Sequence, residues 1–175
     1  SNSFIGFQSG LLNTTGAMNA FVGTESGRSN TFGNRNVFLG HRAGYANTSA
    51  NDNTFVGWLA GNTNVSGNQN VFLGTGAGYD NVSGSDNTFL GNRAGSGNTV
   101  GLNNVFIGNN AGETNTSGDN NTVIGEEADV ASSNLGYATA IGAGSVVSTS
   151  NTIVLGRSGG QDTLVVKGNI NPGAT

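Results

Sequence analysis

Side chains able to do chemistry are few and widely spaced in this sequence. The 175 residues include one histidine, His41, no cysteine, ten acidic and six basic side chains. Nucleophilic or acid–base catalysis needs a convergent set of activated groups, and His41 has no motif partner near it. Glu126-Glu127 supplies the residue types of a carboxylate pair, but neighbours on a strand or turn diverge, so a solvated turn is expected there. Val71-Phe72-Leu73-Gly74-Thr75-Gly76-Ala77-Gly78 has the outline of a strand entering a dinucleotide loop, yet no amphipathic helix and no ribose-binding acid follow. Asp52, Asp80, Asp86 and Asp119 do not recur in the Gly-Gly-x-Gly-x-Asp spacing of a calcium roll, which leaves at most a chance Ca²⁺. The expectation is a chain that is not an enzyme and has no catalytic residue, no cofactor and no resident metal.

Recognition is better represented than catalysis. His41, Arg42, Tyr45, Trp58, Tyr79 and Arg93 fall where the sequence varies against a regular background, and aromatic rings beside Arg and Asn can stack on a sugar ring or a peptide. They form the candidate ligand patch. The same rings could instead cap exposed turns or pack on a neighbouring subunit. Net charge is −4, and the six basic residues are spread singly, so no basic stripe is available for a phosphate backbone and nucleic acid is not an expected partner. No apolar stretch reaches the length of a membrane span, so direct membrane insertion is not expected.

The regular background is a 17-residue repeat. Asn2, Asn19, Asn36, Asn53, Asn70, Asn87, Asn104 and Asn121 each open a block reading Asn-x-Phe-aliphatic-Gly, with Val123 in place of Phe in the eighth. Three residues after that glycine comes Ser9, Ser26, Ala43, Ala60, Ala77, Ala94, Ala111 or Ala128, usually followed by another glycine. A second asparagine recurs at 13, 30, 47, 64, 81, 98 and 115. Two short β-favouring runs per repeat, divided by glycine turns, suit one coil of a solenoid, and helical periodicity is absent. Stacked copies would sit about 4.8 Å apart and pair as a parallel sheet, making a rod of about 45 Å, with asparagine side chains bonded up each column. The expected fold is therefore all-β: a parallel β-roll, or β-solenoid, of 17-residue coils, with a last coil of 14. Its parts are a repeat solenoid over 1–130, shortened coils over 131–158, and a strand, neck or linker over 159–175. Because Ser1-Asn2-Ser3-Phe4 already lies inside a repeat, no signal peptide is expected, and the chain is expected to be a piece of a longer protein.

Phe and the aliphatic residue are adjacent in each block, and neighbours on a strand point to opposite faces. Val56, Leu73 and Leu90, with Ala60 and Ala77, are assigned to the coil interior, because Thr54 or Val71 shares their face. The Phe column then points outward as an apolar stripe too large for a soluble monomer, and three rods meeting side by side would bury it; the alternative is a monomeric solenoid whose Phe column faces its own core.

After Val123 the pattern becomes Ala138-Thr139-Ala140-Ile141-Gly142 and, fourteen residues on, Asn151-Thr152-Ile153-Val154-Leu155-Gly156. That run resembles the head repeat of trimeric autotransporter adhesins of the YadA-like kind, and the 17-residue blocks are similar to repeats of phage-type tail fibres. The resemblance implies a left-handed, homotrimeric roll on a bacterial surface, virion or injection apparatus, with the small residue of each strand at the trimer axis. By that carry-over the trimer interface is Phe4, Phe21, Phe38, Phe55, Phe72, Phe89, Phe106, Val123, Ala140 and Val154. The expected function is a structural and adhesive shaft segment of an extracellular fibre that attaches to host cells through a glycan or protein receptor. The alternative is a monomeric solenoid that binds ice or mineral through the Thr14, Thr31, Thr48, Thr99 and Thr116 column, which Val65 and Val82 interrupt.

Overall fold

The computed structural model describes residues 1–157, 159, 162 and 163. Among them the chain is all-β and contains no helix. Ten three-residue strands form one parallel sheet, each paired with the next along the chain. They are β1 (Ser3–Ile5), β2 (Ala20–Val22), β3 (Val37–Leu39), β4 (Thr54–Val56), β5 (Val71–Leu73), β6 (Thr88–Leu90), β7 (Val105–Ile107), β8 (Thr122–Ile124), β10 (Thr139–Ile141) and β12 (Ile153–Leu155). Two further strands, β9 (Asp129–Val130) and β11 (Val146–Val147), pair in parallel on a second wall. Register is strict: Phe55 faces Phe38 and Phe72, and Phe106 faces Val123, each rung 17 residues from the next. Ala140 to Val154 is the 14-residue step. The C-terminal strand expected over 159–175 falls outside the described residues, apart from Gly159, Asp162 and Thr163.

The structure reverses the expected facing of the strands. Phe21, Phe38, Phe55, Phe72, Phe89, Phe106, Val123 and Ala140 are fully buried inside a single chain, and Phe4 and Val154, at the two ends, are partly buried against the same core. This column is therefore the coil interior and not a surface waiting for two other chains. Val56, Leu73 and Leu90 point outward; Leu73 is 37% exposed. The physical reason is the width of the coil. A three-residue strand has one inward position, at its centre, and a single ring reaches from there to the opposite turn. Built on Gly95, a Cβ would lie 2.5 Å from Phe89 Cδ2, so the second glycine of the Gly-x-x-Ala-Gly turn leaves space for the ring as well as making the turn. Ala60 and Ala77 do lie inside, as expected. Seven rings stack from Phe4 to Phe106 with centroids 4.7–4.9 Å apart and planes within 3–10° of parallel.

Beside the ring stack run two buried asparagine ladders. The backbone N–H of Asn53 donates to Asn36 Oδ1 at 3.0 Å, while Asn36 Nδ2 donates to the Ala50 carbonyl at 2.8 Å. In the second ladder Asn81 Nδ2 donates to Asn64 Oδ1 at 2.7 Å and to the Gly84 carbonyl at 2.9 Å. Burying an amide costs free energy unless its groups are bonded, and here each rung satisfies the one beside it. That is why asparagine, a poor strand former, recurs in the core.

Candidate functional site

Three surfaces of the rod could meet something. The first is the outer face of the main sheet, where both flanking residues of every strand point. One column reads Ile5, Val22, Leu39, Val56, Leu73, Leu90, Ile107, Ile124, Ile141 and Leu155, aliphatic throughout; the other alternates among Ser, Ala, Val, Thr and Ile, and none of the ten strands carries a charge. Ile5 is 63% exposed and Leu155 51%, with the residues between them half-buried or exposed. Six of the ten aliphatic residues are more than a third exposed, so the column is a continuous apolar stripe along the rod, the kind of surface that marks an interaction site. The sequence reading missed this surface because it placed the same residues inside.

The second surface is the threonine column. Thr14, Thr31, Thr48, Thr99 and Thr116 each donate the hydroxyl proton to a carbonyl one coil on, at 2.9 to 3.4 Å. Those hydroxyls keep only lone pairs for an outside lattice, and Val65 and Val82 stand exposed in the row.

The third is the corner that follows each strand, where the six patch residues lie. They separate into two groups. Arg42 Nε donates to Glu25 Oε2 at 2.5 Å, and Arg28 and Arg42 place their guanidinium carbons 5.7 and 5.3 Å from the centre of the Tyr45 ring. The hydrogen bond from Arg42 holds the Glu25 carboxyl below its usual range, with burial opposing and the charges of Arg42, Arg28 and His41 assisting. Glu25 holds Arg42, and both guanidiniums lie within cation–π reach of Tyr45, so this half of the patch is largely occupied by its own contacts.

Trp58, Tyr79 and Arg93 form the other group. With Leu59, Thr75, Gly76, Asp80, Asn92 and Ser96 they line a groove of about 410 Å³. Trp58 is 54% exposed, and Arg93 Nη2 donates to Glu113 at 2.6 Å. Ser96, the notch at Gly76 and the place of Asp80 beside it were not singled out from sequence, although the glycine breaks a column that carries side chains in the other 17-residue coils and is glycine again only at Gly144. A further depression of about 440 Å³, lined by Ile141, Leu155, Arg157 and Asp162 among others, adjoins chain outside the described residues.

The chain matches no known protein family, no curated protein and no solved structure. Its function is read from its own geometry. Among the described residues no three His, Cys, Asp or Glu side chains gather to hold a metal ion, and no helix is long and apolar enough to cross a membrane.

Proposed function

We propose that this chain is a rigid shaft segment of a homotrimeric extracellular fibre, of the kind found on a phage tail, an injection apparatus or a bacterial surface, where it contributes to attachment to cells. The observation that carries this reading is the uncharged, aliphatic outer face of the ten-stranded sheet. Exposed sheets and edges are ordinarily protected by charge, and a face of ten strands without any invites association. The face runs over all ten strands, so a lateral contact along it engages every coil of the sheet. The face offers two unlike columns, so the aliphatic column of one rod can pack on the Val/Thr column of the next. Such a head-to-tail contact closes into a ring, here of three rods. Parallel rods share one coil spacing, which lets every rung repeat the contact.

Rigidity follows from the same construction. Each of the seven phenylalanine coils is bonded to its neighbours through backbone, asparagine and ring columns at once, and the later coils through backbone and aliphatic packing, which suits a spacer between an anchor and a receptor-binding tip. The reading assigns no catalytic step. The lattice-binding alternative draws no support from hydroxyls already committed to the backbone.

Sedimentation of the native chain and of a Leu73→Lys, Leu90→Lys double variant tests the proposal. The expected result is a trimer that the double variant converts to a folded monomer, with far-UV circular dichroism retained. A native chain that stays monomeric at micromolar concentration would sink it, as would a variant that still sediments as a trimer.

A further inference from the structure

At the corner after each strand one residue per coil holds a left-handed backbone. Gln8, Glu25, Arg42, Leu59, Arg93 and Asn110 occupy it with φ between 52° and 57°. In the fifth coil the residue is Gly76, at φ 63°, which makes this the one 17-residue coil with no side chain at the corner. Neither space nor backbone requires that glycine. A Cβ there would meet only Arg93 Cγ, at an ordinary 3.6 Å, and the same column accommodates Leu, Arg and Gln in neighbouring coils. What the glycine does is open the notch between Leu59 and Arg93 that becomes the groove beside Trp58.

We infer that this groove binds a neutral pyranose ring of a glycan, stacked on Trp58 and hydrogen-bonded by Asp80, Asn92 and Arg93. A pyranose has an apolar C–H face and an edge of hydroxyls, and the groove sets an exposed indole and Tyr79 beside a carboxylate, an amide and a guanidinium. Its volume of about 410 Å³ is of the size that small-ligand sites take. Charge selects the class of sugar. The Arg93 guanidinium is already bonded to Glu113, and the Asp80 carboxylate in the lining repels an anionic substituent. A hydroxyl-rich neutral ring can accept from Arg93 and Asn92 and donate to Asp80. The inference rests on the outward-facing fibre for the source of the sugar but not for the groove itself.

Trp58 is the only tryptophan in the chain, so tryptophan emission, excited selectively over the three tyrosines, reports on this groove alone. The native protein is titrated with methyl glycosides of neutral hexoses and N-acetylhexosamines, and with a sialoside as the anionic comparator. At least one neutral glycoside shifts the emission saturably at millimolar concentration, and the sialoside does so more weakly or not at all. Gly76→Asn refills the notch with a residue that tolerates the left-handed region, and it weakens binding about tenfold or more while the melting temperature holds. Tyr79→Ala gives a second, independent loss. No saturable response to any neutral glycoside, stronger binding of the sialoside, or unchanged binding by Gly76→Asn would each overturn the assignment. Sedimentation of the same variants reads lateral association separately, so a failed sugar site and a failed fibre are told apart.

Discussion

The seven coils that carry phenylalanine and the coils after Val123 solve one packing problem in two ways. In the first region a ring fills the interior opposite a glycine, and buried asparagines line the remaining walls. In the second, the inward position of the sheet falls to Val123, Ala140 and Val154, the asparagine columns stop after Asn115 and Asn121, and Val130 and Val147 turn inward on strands β9 and β11. Small residues on two walls replace one large residue on a single wall. The shorter region is also less completely bonded. Ser9 and Ser26 donate their hydroxyls to Phe21 and Phe38 carbonyls of the next coil, at 3.1 and 2.9 Å. Among the described residues the Ser145 hydroxyl, in the same column, is the one buried side-chain polar atom with no partner. The core changes before the coil shortens: Val123 already replaces the ring in a coil of 17 residues, where Asp129 stands in place of the glycine that faces each ring, and the 14-residue step follows at Ala140.

The largest way to break this contrast is to remove a ring. Phe72→Ala deletes two stacking contacts and leaves a cavity that neighbouring rings, held in their own columns, cannot close; the expected cost is about 3–5 kcal/mol in denaturant unfolding. Val123→Ala in the narrowing region should cost about 2 kcal/mol, in proportion to the two methyl groups lost. Equal costs at the two positions would mean that the two interiors are not packed differently.

A smaller effect sharpens the contrast through pH. In the wide coils Asp52 is paired with Arg35 at 2.6 Å, and that hydrogen bond holds its carboxyl below the usual range. In the narrow region burial pushes the Asp129 carboxyl up, against hydrogen bonds from the Thr114 hydroxyl at 2.6 Å and the Val130 N–H at 2.8 Å. A carboxyl raised on folding contributes stability that is fully present below the unfolded value near 3.9 and is lost as pH rises through the folded value. The contribution of Asp129 should therefore fall as pH rises from about 4 through its raised value, opposite in sign to that of Asp52, and Asp129→Asn should flatten that part of the profile in thermal unfolding. An unchanged slope in the variant would show that Asp129 is not the group responsible.

Much of the fold could be read from the residues. The 17-residue spacing, the parallel stacking, the asparagine columns and the 14-residue step all follow from exact recurrence, which is a strong constraint because every copy must satisfy the same position. The facing of Phe and its aliphatic neighbour did not follow. Alternation states only that the two oppose each other, and both are apolar, so hydrophobicity cannot decide which is inside. The deciding fact is three-dimensional: Gly95 and its copies stand across the coil from the ring. Of the candidate patch, recurrence located the varying corner, but only coordinates could show that Tyr45 is held by Arg28 and Arg42 while Trp58 and Tyr79 border a groove.

The facing of the strands is tested most directly in β8, where the chain's lack of cysteine allows one thiol to be placed at a time. Val123→Cys is close in size to the residue it replaces, and Ile124→Cys lies next to it on the opposite face. In a chain kept monomeric by the Leu73→Lys, Leu90→Lys pair, the thiol at 124 should react readily with a water-soluble maleimide, and the one at 123 only as fast as the rod unfolds. Rapid labelling at 123 with protection at 124 would contradict the account, because it would put the ring column outside.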